Sequence, residues 1–196
     1  MKDSPQENSP MTEEQIIAAT VGERKPLNGT IYLAPYDPAW PQHFEQLKRQ
    51  IQEALGDKVR LLEHVGSTSV PGLTAKPKID IVLAVADSSD EASYVEPLEA
   101  RGFTLRIREP DWFQHRLLKP PTTDGNLHVF SEGCEEIERM LLFRDWLRSH
   151  PEDLALYEKT KQELAARTWK YTQNYADAKS QVVREILARA RGDQAE

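Results

Sequence analysis

Cysteine is almost absent from this sequence of 196 residues, in which Cys134 is the single one. One thiol cannot build a disulfide framework or a cysteine-rich zinc site. The chain also lacks an apolar run of transmembrane length and a basic-then-apolar segment near its start. We therefore expect a cytoplasmic protein with no membrane partner.

An excess of positive charge is lacking as well, since the formal net charge is −7 at pH 7. A general nucleic-acid binder normally presents a basic face to the phosphate backbone, so the composition argues against that class. A local basic pocket within an acidic surface suits a small phosphorylated ligand better. The expected partners are thus small molecules, and the chain is expected to be a monomer or a homodimer.

Hydrophobic residues make up 39% of the chain, which is enough for one core. Residues 1–28 are polar and rich in acidic residues, serine and proline, so they predict a disordered tail in which only Met11–Val21 offers a short helix. Residues 29–192 predict one domain without internal repeats.

The stretch from Glu63 to Val85 predicts a strand, a polar turn and a second strand. In the turn, Gly66 has no Cβ and allows a bound group to approach the backbone closely. Consecutive amides, together with the hydroxyls of Ser67 and Thr68, suit phosphate oxygens. The turn therefore predicts a phosphate-binding loop.

Asp80 is a carboxylate inside the apolar second strand, where side-chain alternation places it on one face with Lys78. A buried charge is costly unless it is paired or bound to a metal. A metal site beside a phosphate loop explains Asp80. A salt bridge to Lys76 or Lys78 explains it too.

Helices are predicted on both sides of this stretch. Asp37-Pro38 predicts a helix start with aspartate as the cap, and the segment 90–100 predicts a second helix that ends before Gly102. The C-terminal third predicts three helices, of which Pro151 opens the middle one. Their inward-facing residues recur at spacings of three and four: Trp40, Phe44, Leu47, Ile51 and Leu55 in the first helix, and Tyr175, Ala178, Val182, Ile186 and Ala190 in the last.

Two later strands, 115–119 and 126–130, predict a hairpin that carries histidines. Alternation places His115 with Lys119, and His128 with Asn126. If these faces coincide with that of Asp80, the sheet presents a carboxylate, two imidazoles and a lysine beside the phosphate loop. Each histidine alone is equally compatible with a satisfied core or surface position.

Three cationic residues, Arg144, Lys161 and Lys179, fall on or beside the apolar stripes of the C-terminal helices. Long side chains there either extend to solvent or supply phosphate contacts from the helical side. Both interpretations remain open at this point.

The run from His64 to Leu73, followed by Lys76-Pro77-x-Ile79-Asp80-Ile81, resembles the GrpB family, a branch of the nucleotidyltransferase superfamily that is also found fused to dephospho-CoA kinase. The resemblance extends from about residue 31 to about residue 188. It includes Tyr36-Asp37-Pro38-x-Trp40, His115-Arg116, Leu127-His128-Val129 and Leu142-Phe143-Arg144-Asp145-x-Leu147-Arg148-x-His150-Pro151, followed by Tyr157 and Lys161.

The resemblance implies an α/β (α+β) fold with a nucleotidyltransferase-like mixed sheet flanked by helices and a C-terminal helical bundle. It also implies a Gly-Ser turn that holds triphosphate and strand carboxylates that hold magnesium. An acceptor hydroxyl would attack the α-phosphorus and release pyrophosphate. The superfamily usually carries two acidic residues two apart on that strand and a third on a neighbouring strand, whereas here Lys78 and Val82 flank Asp80 and His128 takes the third place.

Pattern and resemblance together assign the site. The expected metal is magnesium, with manganese or zinc as alternatives because imidazole suits transition metals, and Asp80 and His128 are its expected ligands. The expected catalytic residues are Asp80, His115 and His128. The expected phosphate or nucleotide contacts are His64, on the resemblance alone, Gly66, Ser67, Thr68, Lys76, Lys119, Arg144, Lys161 and Lys179.

The sequence therefore predicts an enzyme that binds a nucleoside triphosphate and a metal, and that transfers a nucleotidyl group to, or activates, a small acceptor. The single strand carboxylate leaves room for a non-catalytic module that binds a nucleotide or a ligand related to coenzyme A. A protein-interaction scaffold is a third, weaker alternative, since a scaffold has no need of Asp80 inside a strand.

Overall fold

A five-stranded mixed sheet organises the computed structural model, which describes residues 10–23 and 26–193. The strand order is β1-β2-β5-β4-β3. Strand β2 pairs antiparallel with β1 and parallel with β5, and β4 pairs antiparallel with both β5 and β3. The strands are β1 (Leu61–Val65), β2 (Ile79–Val85), β3 (Thr104–Glu109), β4 (His115–Lys119) and β5 (Gly125–Ser131).

Seven α-helices surround the sheet among the described residues. Helices α2 and α3 cover one face, while α4 to α7 follow the last strand. No described helix is both long enough and apolar enough to cross a membrane. The helices are α1 (Glu13–Ala19), α2 (Trp40–Leu55), α3 (Val95–Glu99), α4 (Glu135–Ser149), α5 (Pro151–Ala165), α6 (Thr172–Ala178) and α7 (Ser180–Asp193).

The main core lies between α2, α3 and the sheet. All five apolar positions that the sequence placed on the inner side of α2 are buried, and they pack with Ile79, Ile81 and Leu83 of β2. The alternate residues Val82 and Ala84 point to the opposite face, where they pack with Phe130 and α4. The remainder of that opposite face, at the Asp80 end of the sheet, bounds a cavity.

Within the segment predicted to be a tail, residues 13–19 form α1, and Ile16 is 1% exposed. This helix falls inside Met11–Val21, the range that the sequence favoured. Residues 1–9 lie outside the described part of the chain, so disorder there stays a prediction.

Three local predictions were wrong. Helix α2 begins at Trp40 rather than directly after Asp37, and Asp37 is not its cap. The Asp37 carboxylate accepts from the Ala39 amide at 2.8 Å and so closes a turn immediately before the helix. The last predicted helix is two helices, because the amide of Lys179 bonds three residues back to Ala176 and tightens the chain there. Alternation in the sequence predicts that Phe103, Leu105 and Ile107 share one face of a strand, but a bulge in β3 between Leu105 and Ile107 breaks this pattern.

Candidate functional site

The turn after β1 brings the glycine-serine segment against a strand carboxylate. Gly66 has φ +70° and ψ −174°, a backbone conformation that side chains strongly disfavour. A Cβ on Gly66 would lie 2.6 Å from Oδ2 of Asp80. Both the backbone angles and the neighbouring carboxylate therefore require glycine at this position. Residues Ser67–Ser69 continue as a single 3-10 turn.

A cavity of about 720 Å³ extends from this turn across the sheet towards α5 and α6. Among the described residues, its walls carry six basic side chains but only two carboxylates, Asp80 and Glu23. In a chain with a net charge of −7, this is a local concentration of positive charge that suits an anionic ligand. The basic residues are Lys76, Lys78, Arg106, Lys119, Lys161 and Lys179.

Asp80 belongs to a hydrogen-bonded row across three strands. Asn126 donates from Nδ2 to Asp80 Oδ1 at 2.7 Å, and Lys119 donates from Nζ to Asn126 Oδ1 at 2.6 Å. Burial raises the pKa of Asp80, while the Asn126 hydrogen bond and then the nearby lysines oppose this rise. The row fixes the ammonium group of Lys119 at the cavity wall.

Three cavity lysines have lowered pKa values, chiefly because burial disfavours an ammonium ion. The pKa of Lys76 and that of Lys119 are each lowered to about 8, by burial first and by the adjacent Lys78 next. Lys161 is 2% exposed, and burial, followed by the charge of Lys179, lowers its pKa to about 7. An anion in the cavity would favour the protonated form of all three.

A carboxylate and two imidazoles form a chain that reaches the cavity. Oε2 of Glu109 lies 2.6 Å from Nδ1 of His115, and Nε2 of His115 lies 3.1 Å from Nδ1 of His128. His128 lines the cavity, and His115 is buried behind it. When Nδ1 of His115 donates to Glu109, Nε2 of His115 accepts from Nδ1 of a neutral His128. Nε2 of His128 is then left as an acceptor.

The protonation state of His128 agrees with this arrangement. Burial, followed by the charges of His115 and Lys119, lowers the pKa of His128 to about 3. Its ring is therefore neutral near pH 7. A neutral imidazole with one free acceptor nitrogen can take a hydrogen bond from a substrate hydroxyl or amine.

The hydroxyl of Tyr175 is a buried polar group without a hydrogen-bond partner among the described residues. Tyr175 also lines the cavity. An unpaired buried hydroxyl costs free energy, so a ligand oxygen that accepted from it would recover that cost.

Two predicted phosphate ligands support the turn from outside the cavity. The His64 ring stacks on Phe44 with centroids 4.9 Å apart, and its Nε2 lies 3.0 Å from Oγ1 of Thr68. Burial is the main cause that lowers the pKa of His64 to about 4. Arg144 donates to Glu63 at 2.8 Å and to the His64 carbonyl at 3.0 Å. Neither His64 nor Arg144 lines the cavity.

The structure brings most of the predicted site residues together on one cavity. Gly66 lies under the cavity against Asp80, and His115 lies behind His128. Those that line it are Ser67, Thr68, Lys76, Asp80, Lys119, His128, Lys161 and Lys179.

Several cavity residues were not selected from the sequence. Lys78 shares the face of Asp80 by simple alternation, and Arg106 lies on the polar side of β3, so the pattern contained a signal for both. Glu109 lies behind the cavity rather than on its wall. The sequence offered it as a possible oxygen ligand but could not place it, because its contact with His115 depends on the pairing of β3 with β4. Tyr175 was assigned to an apolar helix stripe, and only the packing of α6 brings it to the cavity.

The donor set does not fit a resident divalent metal ion. Asp80 and His128 both line the cavity, but the described residues contain no group of three or more histidine, cysteine, aspartate or glutamate side chains that could hold one. Asp80 Oδ1 accepts from Asn126, and lysines surround this carboxylate. Magnesium prefers several oxygen ligands, which these residues do not supply.

Fold and cavity together define a mixed α/β protein with a cation-lined pocket on one face of its sheet. The chain belongs to the GrpB protein family, whose model matches residues 30–189. The predicted fold class, an α/β fold with a mixed sheet flanked by helices, is confirmed.

Relatives match most of the chain. A UPF0157 protein of Halalkalibacterium halodurans is 56% identical over 97% of each chain. The crystal structure of the conserved protein GrpB from Enterococcus faecalis superposes with a TM-score of 0.74 at 27% identity, over 84% of this chain and all of that one. A dephospho-CoA kinase of Mycolicibacterium paratuberculosis is 27% identical over 88% of this chain but only 49% of its own length, which agrees with the fusion that the resemblance implied.

Proposed function

We propose that this protein binds a nucleoside triphosphate in the cavity and transfers its nucleotidyl group to a small-molecule acceptor. The observation that carries the proposal is the set of six basic side chains around one cavity beside the glycine-serine turn. Asp124 pairs with Lys78 and lies 3.9 Å from Lys119. Lys161, which is buried, and Lys76 and Lys179, which are partly buried, form no ion pair among the described side chains. Cations in such positions are costly without a counter-charge. A triphosphate supplies that counter-charge in one ligand.

The roles follow from position. Ser67 contacts phosphate oxygens from the turn, whereas the Thr68 hydroxyl donates to the Lys78 carbonyl and so holds the turn in place. The lysines neutralise charge on the triphosphate and on the pyrophosphate that leaves. Asp80 acts through Asn126 as a positioning residue for Lys119. Tyr175 donates to a ligand oxygen.

In the transfer step, the acceptor hydroxyl oxygen forms a bond to the α-phosphorus while the bond from that phosphorus to the bridging oxygen breaks. Pyrophosphate leaves with the bonding electrons. The hydroxyl proton passes to Nε2 of His128, whose Nδ1 proton moves to Nε2 of His115. The positive charge then rests on His115 beside Glu109, where an opposite charge stabilises it.

Binding is tested by calorimetric titration with inorganic triphosphate and with nucleoside triphosphates. We expect Lys76→Met to weaken triphosphate binding roughly ten- to a hundredfold, because a charge-assisted contact contributes about 1.5–3 kcal/mol. The wild type should bind saturably with one site.

The matched control is Lys159→Met, which removes the same charge from an exposed position on α5 outside the cavity. Its affinity should stay within twofold of the wild type. Equal weakening by both variants would mean that binding follows net charge alone, and the cavity assignment would be lost.

A non-catalytic binding module is the second candidate, and the absence of a carboxylate two residues from Asp80 on β2 favours it. Release of pyrophosphate from a bound nucleoside triphosphate, measured across sugar, amino-acid and coenzyme-A-precursor acceptors, separates the two. Saturable nucleotide binding without pyrophosphate release in the presence of any acceptor favours the module. Pyrophosphate release that depends on one acceptor favours the transferase.

A further inference from the structure

A second cavity, of about 450 Å³, adjoins the first on its helical side. Its walls come from α4, α5, α7 and the segment before β4, and it shares Ala176 and Lys179 with the lysine-lined cavity. We call this second cavity the arginine groove, because Arg139, Arg184 and Arg191 line it. Two ligands that occupied the two cavities would therefore meet at Lys179.

The charges of the arginine groove are unbalanced. Among the described residues that line it, Glu136 is the only acidic one, and both of its oxygens accept from Arg139 at 2.7 Å. Among the described side chains, neither Arg184 nor Arg191 forms an ion pair, although both are exposed. These two guanidinium groups are therefore available to an anionic ligand in the groove.

The shape of the arginine groove favours a small ligand over a polymer. Arg184 and Arg191 lie two turns apart on one side of α7, with Leu187 and Ala188 between them. The partly buried ring of Trp112 forms the opposite wall. This is a short cationic site with an apolar centre, and the net charge of −7 opposes a polynucleotide.

We infer that the arginine groove is the acceptor site and that it takes a small molecule bearing a phosphate monoester. The inference rests on the proposed function, since it assigns the acceptor to the cavity that adjoins the nucleotide. Guanidinium groups bind phosphate oxygens in a bidentate geometry. With the phosphate held between Arg184 and Arg191, the remainder of the acceptor extends towards Lys179 and the nucleotide.

The test uses glycerol 3-phosphate as the probe and glycerol as its uncharged control. Protein labelled with nitrogen-15 is first saturated with inorganic triphosphate, so that the lysine-lined cavity is occupied, and the probe is then titrated. The indole N–H resonance of Trp112, assigned from Trp112→Phe, reports the groove. The amide of Gly66 reports the first cavity.

We expect glycerol 3-phosphate to shift the Trp112 resonance saturably, whereas glycerol leaves it in place. The double variant R184Q/R191Q should weaken this binding at least tenfold, because two charge-assisted contacts are lost. The control R49Q/R167Q removes the same two charges from exposed positions outside both cavities, and its affinity should stay within twofold.

Three outcomes would overturn the inference: no saturable shift of Trp112, an equal shift with glycerol, or equal weakening by the two double variants. Displacement of the probe by a short single-stranded oligonucleotide at equal phosphate concentration would also overturn it, in favour of a nucleic-acid surface. Failure of the proposed function is seen separately, as the absence of a Gly66 response to triphosphate alone.

Discussion

At the scale of single residues, both the backbone angles of Gly66 and the neighbouring Asp80 carboxylate require glycine at this position. We expect Gly66→Ala to lower the free energy of unfolding by about 1–3 kcal/mol, because the backbone at φ +70° disfavours a side chain and the new Cβ would meet Asp80. Urea unfolding gives the difference.

Gly192→Ala is the control for this substitution, since a Cβ at Gly192 in α7 meets no atom within 4 Å. Its stability should be unchanged or slightly increased. Adding Asp80→Ala to Gly66→Ala should recover the part of the loss that comes from the clash. If Gly66→Ala were as stable as the wild type, the turn would not have the conformation described.

At the scale of elements, one carboxylate joins three helices. Asp153 in α5 accepts from Nε1 of Trp146 in α4 at 2.7 Å and from Arg189 in α7 at 2.5 and 3.1 Å. We expect Asp153→Asn to lower the free energy of unfolding by about 1–3 kcal/mol, because hydrogen bonds to a charged, largely buried group are lost. Glu163→Gln, at an exposed position of the same helix, should leave the free energy of unfolding unchanged.

The pH dependence of this contribution has a definite sign. The Arg189 hydrogen bonds are the main cause that lowers the pKa of Asp153 below 3.8, its ordinary value. A carboxylate with a lowered folded-state pKa stabilises the protein above its unfolded-state pKa and loses that contribution as pH falls through the folded-state value. The difference between wild type and Asp153→Asn should therefore be full at pH 6 and shrink below about pH 4. A difference that grew on acidification would contradict the assignment.

At the scale of the whole molecule, the turn, the sheet and the C-terminal helices all contribute cations to one cavity. The pKa of Lys76 and that of Lys119 are about 8, and that of Lys161 is about 7, each lowered mainly by burial. A triphosphate binds their protonated forms. We expect its affinity to fall at least tenfold between pH 7 and pH 9, because the lysines lose their protons over this range.

Calorimetry checks this expectation directly. Near pH 8 the binding of triphosphate should take up protons, so the measured heat should depend on the ionisation enthalpy of the buffer. Lys76→Met should take up fewer protons than the wild type. An affinity that stayed constant or rose from pH 7 to pH 9 would contradict the role given to these lysines.

Much of the architecture was readable from periodicity. The 3.6-residue spacing of α2 and the apolar run of β2 each identify an element and its buried side, because the period of a regular backbone fixes which side chains share a face. Periodicity did not predict features that depend on local hydrogen bonds. The start of α2, the division between α6 and α7 at Lys179 and the bulge in β3 depend on individual backbone contacts that periodicity does not encode.

The sequence by itself determined the family, the glycine-serine turn, the position of Asp80 on β2 and the shared face of His115 and Lys119 in β4. Each of these depends on neighbours in the chain. The tertiary structure alone decided that Lys161 and Lys179 face the same cavity as Lys76, that Arg144 braces the turn from outside, and that Glu109 meets His115. The physical reason is that these contacts join elements distant in sequence, so they exist only after the sheet has paired and the helices have packed on it.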